Sequence, residues 1–109
     1  MVKVPLLRRV LTLAESVPPV SGMQQAVPLT WLEGVPLGEV YAVRVETWLL
    51  FDGLVNQGDV LVIQRQYHLP KPEERVLVVL PPQQAVRLRT WRLEGDAVVL
   101  APLLPALPA

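Results

Sequence analysis

The sequence contains no cysteine, which excludes disulfides, thiol nucleophiles and thiolate metal sites. It also lacks an excess of either charge. Ten basic and ten acidic residues cancel, so net charge gives no basic surface for nucleic acid or anionic lipid. The uncharged C-terminal run, residues 97–109, is too short to span a bilayer and is interrupted by prolines. We expect a cytoplasmic protein with no metal and no cofactor.

Proline is abundant and limits the fold class. Twelve prolines are spread along 109 residues, and each removes a backbone donor and clashes with a preceding helical turn. The runs between them are short and rich in Val, Leu and Ile, as is typical of strands. We therefore predict one mainly β domain over residues 1–109, a twisted and partly barrel-like sheet with one short helical turn at Thr47–Val55. The predicted strands are Tyr41–Val45, Val60–Ile63, Val76–Leu80, Ala85–Arg92 and Ala97–Leu100.

Hydrophobic periodicity gives each strand an expected place in the sheet. Tyr41, Val43 and Val45 alternate with the residues between them, which predicts that these three share one face. Val60–Ile63 and Val76–Leu80 are apolar at every position. A strand of that kind is typically central and covered on both sides, so we expect these two in the interior of the sheet.

Five segments occur in an order that resembles a known family. They are Val4–Leu7, Val27–Thr30, Tyr41–Val45, Gly58–Val62 and Gly95–Pro102. Their order and spacing are similar to those of the C-terminal, self-cleaving domain of LexA-type repressors, UmuD and phage repressors. The resemblance covers nearly the whole chain. It implies the LexA-type fold, and it implies a serine nucleophile with a lysine as its base.

Neither catalytic residue that the resemblance implies is present. The serine position holds Leu49, which has no nucleophilic atom, and the lysine position holds Arg89. A guanidinium stays protonated at accessible pH and cannot act as a general base. The bond that relatives cleave aligns with Thr12-Leu13, which is bulkier than the family's small pair. We therefore predict a protein that is not an enzyme.

Other residues offer little to rebuild a catalytic site. Ser16 and Ser21 lie in a proline-containing segment where turn formation explains them, and Lys3 and Lys71 lie near a terminus and in a polar loop. His68 is the single histidine, and one imidazole without a second nitrogen or sulfur ligand is a poor metal site. A peptidase with rearranged residues remains the third hypothesis.

Two clusters are candidates for binding. Trp48, Leu49, Leu50 and Phe51 fall where the family has its active-site rim, next to the Arg89 position. These side chains either fill the core and plug the former cleft or form an apolar surface for a partner. The second cluster is on the strand that ends at the Gly95-Asp96 hairpin signal, and consists of Arg87, Arg89, Trp91 and Arg92.

The arginine cluster supports two interpretations. Alternating arginine and an aromatic residue can contact single-stranded nucleic acid, which makes a small β nucleic-acid-binding protein the alternative function. The neutral net charge argues against it and favours the exposed face of an ordinary strand.

The C-terminal segment is apolar, and a monomer would gain little by exposing it. In the resembling family the last strand pairs across a two-fold axis, so the resemblance implies a homodimer there. The predicted interface residues are Leu100, Pro102, Leu103 and Leu104. The other interpretation is that this segment folds back over its own sheet edge.

The first functional hypothesis is therefore a catalytically inactive LexA-like domain that acts as a dimerisation or protein-interaction module. Its partner would be a second copy of itself or a related LexA-like or phage-type transcriptional repressor. The nucleic-acid-binding protein and the rearranged peptidase follow in that order.

Overall fold

A computed structural model describes residues 1–12, 14–46, 57–66, 69–80 and 85–102. The chain divides into two compact units, Met1–Glu46 with Gln57–Tyr67, and Thr47–Asn56 with His68–Ala109. We call them the first and second unit and describe each by itself. The prediction of a single domain over 1–109 stays a prediction.

The mainly β fold is confirmed. Seven strands form two sheets, and the described residues contain no helix of seven residues or more. The strands are β1 Val2–Leu7, β2 Gln24–Val27, β3 Val40–Arg44, β4 Val60–Gln64, β5 Arg75–Leu80, β6 Ala85–Glu94 and β7 Ala97–Pro102. Neither sheet closes into a complete barrel in the described part of the chain. The helical turn predicted at Thr47–Val55 lies outside the described residues.

The first unit contains a four-stranded sheet in the order β2-β1-β3-β4. β1 pairs antiparallel with β2 and parallel with β3, and β3 pairs antiparallel with β4. The hydrophobic cluster of this unit contains Val4, Leu6, Val27, Leu32, Val40 and Ala42. Since both Ala42 and Tyr41 are fully buried, β3 is covered on both faces at these positions.

Pro28 separates β2 from a short 3-10 helix, Leu29–Leu32. The resemblance places a strand over Val27–Thr30, and this is wrong beyond Val27. The Trp31 N–H donates to the Pro28 carbonyl at 3.0 Å, which closes a turn where a strand would continue. Proline itself has no N–H for a sheet ladder, so the strand ends there.

The second unit contains the antiparallel sheet β5-β6-β7, in which each strand pairs with its neighbour in sequence. The prediction that Val60–Ile63 and Val76–Leu80 form central strands is wrong, because β4 and β5 lie at edges of the two described sheets. The side chains of β4 up to Ile63 and of Val76 to Val78 are half-buried. An apolar residue at every position indicates that both faces of the strand are partly covered. It does not indicate whether the strand has a hydrogen-bonded neighbour on both sides.

Candidate interaction surface

The β6–β7 hairpin positions the side chains of the second unit. Glu94 pairs with Ala97, so the connecting turn has two residues, Gly95 and Asp96. Gly95 has a φ of 62°, in the left-handed region that glycine occupies without steric cost. A positive φ at the first of two turn residues is typical of a type II′ turn, whose twist matches the flanking strands. The predicted Gly95-Asp96 turn is confirmed.

The register of this hairpin decides which side chains share a face. Trp91 lies opposite Leu100, and Leu93 lies opposite Val98. Because side chains alternate along a strand, these four lie on one face of the sheet. Arg87 and Arg89 lie on that face too. We call these six residues the Trp91 face.

The Trp91 face contains exposed apolar side chains. Leu93 is 55% exposed and Val98 is 48% exposed, while Trp91 and Leu100 are half-buried. Among the large apolar residues that are exposed in the described part of the chain, Leu93 and Val98 are the two that lie within strands. The two side chains are direct cross-strand neighbours beside Trp91, so they form one patch.

The predicted stripe of Arg87, Arg89, Trp91 and Arg92 does not form, because Arg92 lies on the opposite face. The ladders to β5 and β7 run without a bulge, so the alternation is strict and separates residue 92 from residue 91. The Arg92 Nε donates to the Glu73 carboxylate at 3.3 Å. The alternating sequence also predicts that Val86 and Leu88 face inward and that Arg87 and Arg89 face outward. This division is not seen, since residues 86–91 are all half-buried.

Arg87 and Arg89 direct part of their hydrogen bonding to the chain itself. An Nη1 atom of each donates to the carbonyl of the preceding residue, Val86 or Leu88, at 2.9 Å. These bonds hold both guanidinium groups against the strand. Of the other predicted partner-binding and interface residues, Leu100 and Pro102 lie in β7, and Trp48, Leu49, Leu50, Phe51, Leu103 and Leu104 lie outside the described residues, as does His68.

A turn ahead of β5 fixes one end of this sheet. Glu73 has a φ of 68° and follows Pro72, the arrangement of a type II turn. Its N–H donates to the Trp91 carbonyl at 2.7 Å, and the Trp91 N–H donates to the Glu74 carbonyl at 2.9 Å. These bonds extend the β5–β6 ladder and hold the backbone of Trp91.

Comparisons of the chain with protein families, with curated proteins and with solved structures found no match. The resemblance to LexA-type repressors therefore stays a prediction from the sequence.

No helix among the described residues is long and apolar enough to cross a membrane. Nor do these residues bring three or more histidine, aspartate or glutamate side chains together in a group suited to a metal ion.

The first unit contains a buried polar cluster that sequence reasoning missed. Arg65 is 7% exposed, its Nε lies 3.7 Å from the Glu39 carboxylate, and its Nη1 donates to the Glu15 carbonyl. The Tyr41 hydroxyl accepts a hydrogen bond from the Leu11 N–H at 2.9 Å. Burial raises the pKa of this phenol, so the hydroxyl stays protonated at neutral pH. Arg65 and Tyr41 thus attach the segment after β1 to the sheet.

Glu15 closes that segment on itself. Its carboxylate accepts two hydrogen bonds from Arg9 and one from the Thr12 N–H at 3.1 Å. The Arg9 hydrogen bonds, followed by the Thr12 N–H, lower the pKa of Glu15 from its ordinary value of 4.5 to about 2. The only sequence signal for this arrangement is a glutamate three residues after a threonine, the spacing of a local capping interaction.

The lowered pKa of Glu15 predicts a pH-dependent stability. A carboxyl whose pKa is lower in the folded state stabilises the fold fully above its unfolded value, and this contribution is lost as the pH falls through the folded value. We expect the urea midpoint of the wild-type protein to fall between about pH 4.5 and pH 2, and Glu15→Gln to reduce that slope. Glu33→Gln removes an exposed carboxylate from the same unit and should retain the wild-type slope. Equal slopes for wild type and Glu15→Gln would contradict the assignment.

Proposed function

We propose that this chain is a non-catalytic protein-interaction module that forms a homodimer through β7 and the Trp91 face. The observation that carries the proposal is the exposed Leu93–Val98 pair beside Trp91 and Leu100. Aromatic and aliphatic side chains that are clustered and exposed are the usual anchors of protein interfaces.

The composition of β7 favours a second copy as the partner. β7 lies at an edge of the sheet that the described residues form, and Ala97–Pro102 contains no charged residue. Edge strands of monomers are commonly protected by charges or bulges. In a two-fold contact the same strand is present on both sides, so a strand with charges of one sign would repel its copy, whereas the uncharged β7 would not. If the two copies of β7 pair antiparallel with Val99 on the two-fold axis, Val98 lies opposite the partner's Leu100. Both of these side chains then belong to the Trp91 face.

The absence of catalysis is the second part of the proposal, and its support is chemical. Arg89 occupies the position where the resemblance requires a lysine base. Its guanidinium is held against the Leu88 carbonyl and cannot take up a proton. The family resemblance adds a finer proposal, that the module also pairs with a related repressor and lowers the concentration of repressor dimers by mass action.

The homodimer can be tested by sedimentation equilibrium over a range of protein concentrations. We expect the wild-type protein to dimerise, and Val98→Asp to raise the dimer Kd at least about tenfold, since burying an unpaired carboxylate in the contact costs more than about 1.4 kcal/mol. The double variant Leu93→Asp with Val98→Asp should be monomeric at every accessible concentration.

Leu69→Asp is the matched control. Leu69 is 77% exposed in a loop of the second unit, outside the β6–β7 hairpin, so its substitution should leave the dimer Kd unchanged. Thermal melting of each variant as a dilute monomer checks that the fold is retained. A wild-type protein that is monomeric at all concentrations, or an equal effect of Leu69→Asp and Val98→Asp, would refute the proposal.

A further inference from the structure

The parallel pairing of β1 and β3 brings two arginines together in the first unit. Leu6 pairs with Ala42 and Leu7 with Val43. The next step in this register sets Arg8 beside Arg44, because the carboxyl ends of parallel strands lie at the same end of a sheet. Adjacent strands are about 4.8 Å apart, so the two side chains begin close together.

Both arginines line one cleft of about 430 Å³, and we call it the Arg8–Arg44 cleft. The apolar part of its lining comes from Leu6, Leu7 and Met23, and Glu46 completes it. The Leu6 N–H donates to the Met23 carbonyl at 3.0 Å, which fixes the backbone of one wall.

The two arginines of the cleft have no oppositely charged partner among the described residues. Arg8 and Arg44 are exposed, and neither forms an ion pair or a side-chain hydrogen bond with any residue in the described part of the chain. The neighbouring Arg9 differs, since its guanidinium is bound to Glu15. Two guanidinium groups and one carboxylate leave the lining with one net positive charge, and two adjacent like charges are unfavourable until an anion lies between them.

We propose that the Arg8–Arg44 cleft binds the carboxylate of a ligand with a short apolar chain. The carboxylate accepts hydrogen bonds from both guanidinium groups, whose planar donors match its two oxygens. The apolar chain lies along Leu6 and Met23, on the face of β1 that Arg8 shares. Glu46 limits the charge that the cleft accepts, which favours a monoanion over a phosphate dianion. The same chemistry is offered by a free short-chain acid and by the C-terminal carboxylate of an apolar peptide.

Titration with hexanoate, followed by amide and arginine Nε NMR signals, tests the proposal. We expect hexanoate to shift the signals of the cleft residues saturably and to bind more tightly than inorganic phosphate. Hexanamide, which has the same chain without the charge, should produce no saturable shift. Acetyl-alanyl-leucine, a peptide with a free C-terminal carboxylate, identifies the source: tighter binding than hexanoate indicates a peptide terminus, and weaker binding indicates a free acid.

The variants Arg8→Gln and Arg44→Gln should each weaken hexanoate binding about tenfold, as expected for the loss of one charge-assisted hydrogen-bonding partner. Lys3→Gln is the matched control, since it removes an exposed positive charge from β1 outside the cleft and should not change the affinity. Equal binding of hexanoate and hexanamide, equal effects of Lys3→Gln and Arg44→Gln, or tighter binding of phosphate would overturn the proposal. Dimerisation depends on the second unit, so failure here leaves the homodimer proposal unaffected.

Discussion

Replacing Tyr41 with alanine is expected to lower the free energy of unfolding by about 3–5 kcal/mol, as is typical when a large buried aromatic side chain is removed. Tyr41 is 1% exposed on β3, which has a paired strand on each side. The substitution also leaves the Leu11 N–H without the phenol oxygen that it contacts at 2.9 Å. Since small domains have about 5–15 kcal/mol in total, this one change should remove a large part of the stability. Urea denaturation followed by circular dichroism measures the effect.

Tyr41→Phe separates the two contributions of this side chain. Phenylalanine retains the ring and removes the acceptor for the Leu11 N–H, so the expected loss is about 1–2 kcal/mol. If Tyr41→Phe were as destabilising as Tyr41→Ala, the hydroxyl contact would dominate over burial of the ring. If both variants were as stable as the wild-type protein, Tyr41 would not belong to the core.

Replacing Arg65 with methionine is expected to destabilise the protein by about 2–3 kcal/mol. Removing one partner of a fully buried ion pair costs about 3–5 kcal/mol. We expect a smaller loss here because the Glu39 side chain is 35% exposed and remains partly hydrated. The Glu15 carbonyl also loses the donor that Arg65 supplies. Methionine preserves much of the volume, so the loss reports on the polar contacts more than on a cavity. Urea unfolding at neutral pH checks the value.

A double-mutant cycle with Glu39→Gln tests the pairing itself. If Arg65 and Glu39 act as a pair, the double variant should be less destabilised than the sum of the two single variants. Strict additivity would show that Arg65 stabilises the protein through the Glu15 carbonyl and its own packing alone. Arg92→Met is a useful control, because its partner Glu73 is well exposed and such pairs contribute little.

Local chemistry made much of the β architecture predictable. Short apolar runs between prolines indicated five of the seven strands, β3 to β7. The resemblance indicated β1 through Val4–Leu7, and β2 was missed except for Val27. The Gly95-Asp96 turn followed from glycine's access to positive φ, and Gly58 shows the same effect ahead of β4, with a φ of 93°. The order of strands within the sheets was not predictable from the same signals. Val60–Ile63 and Val76–Leu80 were expected in the interior because every residue is apolar, yet pairing depends on contacts distant in sequence.

The candidate sites show the same limit. Arg87, Arg89, Trp91 and Arg92 were predicted to form one outward stripe, but strand alternation places Arg92 on the other side of the sheet. The exposure of Leu93 and Val98 had no signal of its own, since an exposed and a buried leucine are identical in sequence. Arg8 and Arg44 are 36 positions apart in the chain, and the parallel register of β1 and β3 brings them together.

Pro5 limits which strands can pair with β1 on the side where β3 lies. β2 is made before β3, so β1 and β2 can form a hairpin while the other side of β1 has no partner. The Leu6 N–H points toward β2, where it donates to the Met23 carbonyl. Because successive backbone nitrogens of a strand point in opposite directions, the nitrogen of Pro5 points toward β3. A proline there offers no donor to a strand from another nascent chain, and the pairing with β3 begins at Leu6, directly after it. Pro5 therefore leaves this side of β1 without a donor at its position, and any strand that pairs there meets its first N–H donor only after Pro5.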